Sequence, residues 1–312
     1  MTLPQVVPDP SLPETVTVYE VGPRDGLQNE SAIVPLQVKA DFVRRLVAAG
    51  LPVVETTSFV HPRWVPQLAD AAELLADLAA SGLPPGPAFP VLVPNERGLD
   101  RALDAGVRHL AIFASATEAF AQRNLNRGLD EQYEMLEPVV RRARDAGLEV
   151  RAYLSMSFGD PEEGPVPLAQ VVRAGRRLLD LGAGQLSLGD TIGVATAGHV
   201  TALLDAFGAA GVGVDRLALH LHDTYGQALA NVLAGLRSGV TTFDASAGGL
   251  GGCPYARSAT GNLATEDLVW MLDGLGVRTG VDLRQVVDIS TWMAGHLGRP
   301  STARTVQALT RG

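Results

Sequence analysis

The chain has 312 residues, 46% hydrophobic and 19% charged, with a net charge of -9 at neutral pH. That is ample material for one large core, and the acidic balance with no basic block excludes a nucleic-acid-binding surface. No apolar run reaches the roughly 18 residues needed to cross a bilayer, so a membrane partner is not expected either.

The first 14 residues hold four prolines and no basic n-region. They read as a disordered lead-in rather than a signal peptide. From residue 15 onward, short β-branched runs alternate with amphipathic stretches of helical length. The expected strands are Val16 to Val21, Val53 to Ser58, Phe89 to Val93, Arg108 to Ala114, Glu149 to Ser155, Gln185 to Gly189, Arg216 to Leu221 and Thr241 to Ala245. The expected helices between them are Val38 to Ala49, Leu68 to Ala80, Leu99 to Ala105, Asp130 to Ala146, Pro167 to Leu181, Ala197 to Ala210, Gly226 to Ser238 and Thr265 to Leu275. Several close on Ala-Gly or Leu-Gly, as at Ala49-Gly50 and Leu181-Gly182, where glycine supplies the C-cap.

Strand followed by helix through eight rounds, without a shift in composition, is the pattern of an α/β (β/α)8 TIM barrel. No G-x-G-x-x-G follows the first strand, which disfavours a doubly wound dinucleotide fold. The expected division is a lead-in over 1–14, a catalytic barrel over 15–280 and a helical extension over 281–312. The extension could cap the barrel or pack on a partner subunit of a homo-oligomer.

Barrel function belongs at the C-terminal ends of the strands. There the chain places Arg24-Asp25 after strand one and Glu55 on strand two. It places Tyr153 and Ser155 on strand five, Asp190-Thr191 on strand six, and His220-Leu221-His222 on strand seven. His220 and His222 are two apart on a strand, so both imidazoles face one side and can share an ion. A carboxylate from Asp25 makes the donor set mixed N/O, which suits Mg, Mn, Co or Zn in octahedral coordination better than a closed structural zinc site. After strand eight, four glycines among residues 248–252 form a loop that can close over the mouth with Cys253 at its tip. Cys253 is the sole cysteine, so no internal disulfide forms and a reducing compartment such as the cytoplasm fits.

The strings EVGPRDGLQNE, VVETTSFVHPRWVPQLAD, SLGDTIGV, HLHDTYGQALAN, GGLGGCPYA and TGNLATEDLVWML, in that order from about residue 16 to 280, resemble the hydroxymethylglutaryl-CoA lyases. The resemblance implies a metal-dependent barrel that cleaves 3-hydroxy-3-methylglutaryl-CoA to acetoacetate and acetyl-CoA, a step of leucine degradation. It implies Asp25, His220, His222 and Asn262 as ligands of a divalent cation, with Mg or Mn foremost. It implies Arg24 as stabiliser of the thioester enolate, Glu55 as support for the cation site, Asp25 or His220 as base and Cys253 as acid/base. Gln28, Asp190 and Thr191 are expected to position the acyl-CoA substrate.

Two stretches depart from the pattern. Where the family carries a cysteine-bearing segment and a Gly-Cys-Pro-Tyr-Glu-Gly turn, this chain has Met156 to Gly164, at the expected mouth. For the CoA phosphates it offers only Arg299, Arg304, Arg123 and Arg127. The rival readings are a related lyase, aldolase or condensing synthase for another acyl-CoA or 2-oxo acid, and a non-enzymatic, metal-stabilised acyl-CoA-binding protein.

Overall fold

The computed structural model describes residues 3–253 and 256–310, with the side chains of 253 and 256–260 outside that description. The barrel strands are β1 (Thr17–Glu20), β2 (Val53–Val54 and Thr57–Ser58), β3 (Val91–Leu92), β4 (His109–Ser115), β5 (Glu149–Ser155), β6 (Gln185–Asp190), β7 (Leu217–Leu221) and β8 (Thr242–Ala245). The helices are α1 (Leu36–Ala48), α2 (Ala71–Ala80), α3 (Glu96–Asp104), α4 (Glu118–Leu125), α5 (Leu129–Asp145), α6 (Leu168–Leu181), α7 (Ala197–Ala209), α8 (Ala228–Arg237), α9 (Thr265–Gly274), α10 (Leu283–Leu297) and α11 (Arg304–Thr310).

All neighbouring barrel strands are parallel, and β1 pairs with β8 through Thr17–Thr242 and Tyr19–Asp244. The ring closes at β2, whose first half pairs with β1 and whose second half pairs with β3. Between the halves Glu55 N–H bonds Glu20 O (2.8 Å) and Thr56 N–H bonds Pro90 O (3.0 Å), so the strand changes partner without losing its ladder. The chain is thus the (β/α)8 TIM barrel its alternation predicts.

The helix ends follow the predicted chemistry. Gly50 sits at φ 95°, and a side chain there would place Cβ 2.2 Å from Gly280 O. Helix α4 lies outside every predicted segment. The residue before it, Thr117, turns its hydroxyl to Asp160 (2.6 Å), while Glu118 accepts from Leu129 N–H (2.8 Å), so this helix is set by tertiary contacts rather than by an apolar stripe.

The lead-in corrects one expectation. Instead of lying disordered, it donates from Val7 N–H to Gly274 O (2.9 Å) and from Asp9 N–H to Leu275 O (3.1 Å), and Leu12 is buried. A proline-rich strip has few donors for bonds to itself, and here it satisfies carbonyls that the end of α9 leaves without donors.

The extension fills the gap between the last and first helices of the ring. Trp292 of α10 packs on Phe42 of α1, with the Arg45 guanidinium over its indole. It also grips the glycine loop: Ser301 Oγ donates to Gly248 O (3.0 Å), and Ser290 Oγ donates to Glu266. Glu266 in turn accepts Gly248 N–H through both oxygens, at 3.0 Å each. Burial pushes the Glu266 carboxyl up to about 8, against the pull of the Ser290 and Gly248 bonds. A carboxyl whose folded value lies above its unfolded one stabilises most below the unfolded value, and that stability is lost as pH rises through about 8. Denaturant titrations should therefore show the unfolding free energy falling between about pH 6 and about pH 8, by on the order of 2 kcal/mol from this group, with Glu266→Gln making the profile shallower. A wild-type profile level over that range would contradict this.

Candidate active site

The turn that leaves β1 is one π-helical turn, Gly22–Gly26, in which Arg24 N–H and Gly26 N–H both donate to Val21 O at 3.2 Å. Such turns are uncommon and concentrate at functional sites. It is fixed by Glu20, a fully buried carboxylate that accepts Gly22 N–H (2.8 Å), Ala247 N–H (2.9 Å) and the Thr265 hydroxyl (2.6 Å). One side chain thereby joins the exit of β1, the glycine loop and the start of α9.

The turn brings Asp25 to the strand-seven imidazoles. Asp25, His220 and His222 each offer one ligand atom within 4.8 Å of the others, the only such trio of His, Cys, Asp and Glu among the described residues. His220 Nε2 lies 3.3 Å from His222 Nε2. Residues 261–263 run antiparallel beside the end of β7, with Asp223 N–H on Gly261 O and Leu263 N–H on Leu221 O. That pairing sets Asn262 against His222, and its Nδ2 donates to Asp25 Oδ2 (2.8 Å) and Leu250 O (3.1 Å). Gly251, at φ 105°, makes room: a Cβ there would lie 2.6 Å from Asn262 Nδ2.

The electrostatics suit a cation. Burial would raise Asp25, but Arg24, then His220 and Asn262, outweigh it and hold the carboxyl at about 2. Burial, then His220, push His222 down to about 3 against the pull of Asp25, so it is neutral near pH 7. Its Nδ1 is buried with no hydrogen-bond partner among the described residues. Two imidazoles, that of His222 held neutral, with an ionised carboxylate and a carboxamide at one point form a donor set for a divalent ion with open positions.

Arg24 occupies the adjoining wall. It is buried, donates Nη1 to Asp25 Oδ1 (2.5 Å) and pairs through Nε with Glu55. Burial alone would lower its pKa, but Glu55 and Asp25 drive it above the ordinary value. Glu55 is completely buried and also accepts from Tyr19 OH (3.2 Å) and Tyr153 OH. Its predicted place behind the cation site is therefore one step removed: it orients Arg24.

The weaker sequence candidates divide. Gln28 reaches the site and donates to Asp25 Oδ1 (2.8 Å). Asp190 is buried at the end of β6, accepts Ala195 N–H (3.2 Å), and is raised by burial to about 7. Thr191 accepts Met156 N–H (2.9 Å), where Met156 takes a left-handed φ of 58°. Thr191 therefore shapes the loop at 156–164, whose turn is pinned by Asp160 on Thr117, Glu162 N–H and Glu163 N–H, whereas Asp190 holds the turn that follows β6. The Cys253 thiol lies outside the described residues. Arg123 pairs with Glu162, Arg299 with Glu30, and Arg304 lies 3.8 Å from Asp223, so each faces an acid.

Three residues with no part in the sequence expectations close the site from below: Arg151 on β5, Ser187 on β6 and Asp244 on β8. The available signal was polar side chains at the inward positions of strands otherwise apolar.

A family model described as HMGL-like matches residues 15–293. The chain belongs to the HMGL-like family. It is 48% identical over 300 residues to the mitochondrial hydroxymethylglutaryl-CoA lyase of Arabidopsis thaliana, covering 96% of this chain and 63% of that protein, so it spans under two thirds of that relative. Among HMGL-like structures, hydroxymethylglutaryl-CoA lyase from Pseudomonas aeruginosa superposes with a TM-score of 0.93 at 46% identity, over 96% of this chain and 98% of that one. An HMG-CoA lyase from Acinetobacter baumannii, solved in complex with coenzyme A and 3-methylmalate, superposes at 0.88 with 31% identity, over 97% of each chain.

Proposed function

We propose that this chain is a carbon–carbon lyase that cleaves 3-hydroxy-3-methylglutaryl-CoA to acetoacetate and acetyl-CoA. The observation that carries the reading is the meeting of Asp25, His220 and His222 at one rim with buried Arg24 alongside. The names of the relatives supply the thioester. Asp25, His220, His222 and the Asn262 carboxamide oxygen would hold a divalent cation, Mg or Mn before Co or Zn, which supplies Lewis acidity to a bound hydroxyl.

The remaining work falls to the protein. The proton of the substrate's tertiary hydroxyl leaves to the Asp25 carboxylate as the carbon–oxygen double bond forms. The breaking carbon–carbon bond delivers its electron pair to the thioester as an enolate, which Arg24 meets with a fixed positive charge. Gln28, with Thr191 through the 156–164 loop and Asp190 through the turn at 193–195, positions the acyl group. Cys253, two residues beyond the Gly251 backbone that abuts Asn262, gives a proton to the enolate carbon. Residues 15–280 form the catalytic barrel, and 281–312 hold its glycine loop in place. Magnesium, the cytoplasm, leucine degradation and a homo-oligomer complete the proposal. The single cysteine supports a reducing compartment, and among the described residues no helix is long and apolar enough to cross a membrane.

Incubating the protein and Mg2+ with 3-hydroxy-3-methylglutaryl-CoA should release acetoacetate and acetyl-CoA in equal amounts. Turnover of 4-hydroxy-2-oxo acids or other thioesters in its place would move the chain to another reaction. Cys253→Ser should lower turnover by about 10²-fold or more while leaving metal content near normal. A fully active variant would remove the thiol from the chemistry.

A further inference from the structure

Behind the two imidazoles lies a charged pair that the proposed chemistry does not use. Arg151 Nη2 donates to Asp244 Oδ1 at 2.5 Å and its Nη1 to Oδ2 at 3.2 Å, across the barrel interior. Ser187 Oγ donates to the same Oδ2 at 2.9 Å, and that oxygen lies 3.2 Å from His220 Nδ1. Arg151 is itself fixed from every other side. Its Nε donates to Gln185 Oε1 (2.9 Å), its Nη1 to Tyr153 OH (3.0 Å), and its guanidinium carbon lies 3.8 Å from the Tyr19 ring centroid. Asp244 is 2% and Arg151 6% exposed, so neither finds a substitute partner in water. Both Tyr19 and His220 pair with Asp244 in strand register, so the backbone holds the cluster as firmly as the side chains do.

An aspartate that accepts from a guanidinium and a hydroxyl is a carboxylate and has no proton to offer. A hydrogen bond to His220 Nδ1 therefore requires a proton on that nitrogen, so the one nitrogen that can present a lone pair to an ion is Nε2. Nε2 is the nitrogen that faces His222 Nε2. We infer that Asp244, gripped by Arg151 and Ser187, is a positioning residue that fixes His220 as its Nδ1–H tautomer and aims Nε2 at the shared cation. His222 has no such carboxylate, since its Nδ1 is buried without a partner among the described residues. The two imidazoles are then unequal: His220 is preset and His222 adjusts. With one nitrogen given to Asp244 and the other to the cation, His220 has none left to take a proton from substrate, which leaves that task to Asp25.

The inference rests on the metal-holding part of the proposed function, not on the identity of the thioester. Two-bond 1H–15N spectra of the metal-free protein, with His220→Gln to assign the signal, should show His220 protonated at Nδ1. A proton on Nε2, or an even mixture, would overturn it. Mn2+ titration is the second measurement: Asp244→Asn should weaken binding by about 10–100-fold. Should that variant fail to fold with Arg151 unpaired, Ser187→Ala keeps both charges and should weaken Mn2+ on the order of threefold, with little change in the metal-free melt. Mn2+ affinity unchanged in a folded variant would remove Asp244 from any positioning role. A protein that passes both tests and yet fails to release acetoacetate would sink the proposed reaction while leaving this inference standing.

Discussion

Arg24→Met should lower kcat on 3-hydroxy-3-methylglutaryl-CoA by about 10³-fold, with bound Mn2+ within twofold of wild type. A guanidinium held in a buried wall contributes most where charge develops in the transition state, because the surroundings are already oriented and need not reorganise. Arg24 meets that condition: Glu55 fixes its Nε, Asp25 receives its Nη1, and the Tyr153 ring lies 5.3 Å away. The wall cannot re-form around a lysine, whose point charge cannot bond Glu55 and Asp25 in the same fork. Arg24→Lys should therefore recover only a small part of the loss. A variant within tenfold of wild type would show that the enolate charge is met elsewhere. Glu55→Gln should act in the same direction but less strongly, because it loosens Arg24 without removing it.

His222→Ala should abolish tight binding of one equivalent of Mn2+ and lower turnover by about 10³-fold or more. The side chain is buried, neutral near pH 7 because burial holds it at about 3, and carries an unsatisfied Nδ1. Packing alone does not explain so polar a group there, since an unpaired buried nitrogen costs about 1–3 kcal/mol. Tight one-equivalent binding in His222→Ala would contradict its role.

Much of the barrel was legible because each staff is a β-branched run closed by a helix and a glycine. What escaped was set by contacts distant in sequence. Helix α4 starts where Thr117 meets Asp160, 43 positions away, and no local periodicity announces it. The lead-in was misread because proline enrichment signals disorder unless another segment offers carbonyls, as Gly274 and Leu275 do here. At the site, Asp25, His220, His222 and Asn262 stood in recognisable strings, and the fold brings them together. Asp244 left only a faint signal: a lone acid in Thr242–Ala245 gains meaning once the barrel turns it toward Arg151 and His220. Glu20 and Glu266 likewise belong to no catalytic pattern in the sequence, and the fold makes them buried struts for the turn and the loop.

The most direct measurement is a metal titration of turnover. After dialysis against a chelator, acetoacetate release from 3-hydroxy-3-methylglutaryl-CoA should fall to background. It should return in proportion to added Mn2+ and level off at one ion per chain. Full activity in the stripped protein, or a rise that continues well past one equivalent, would contradict a single cation held by Asp25, His220, His222 and Asn262.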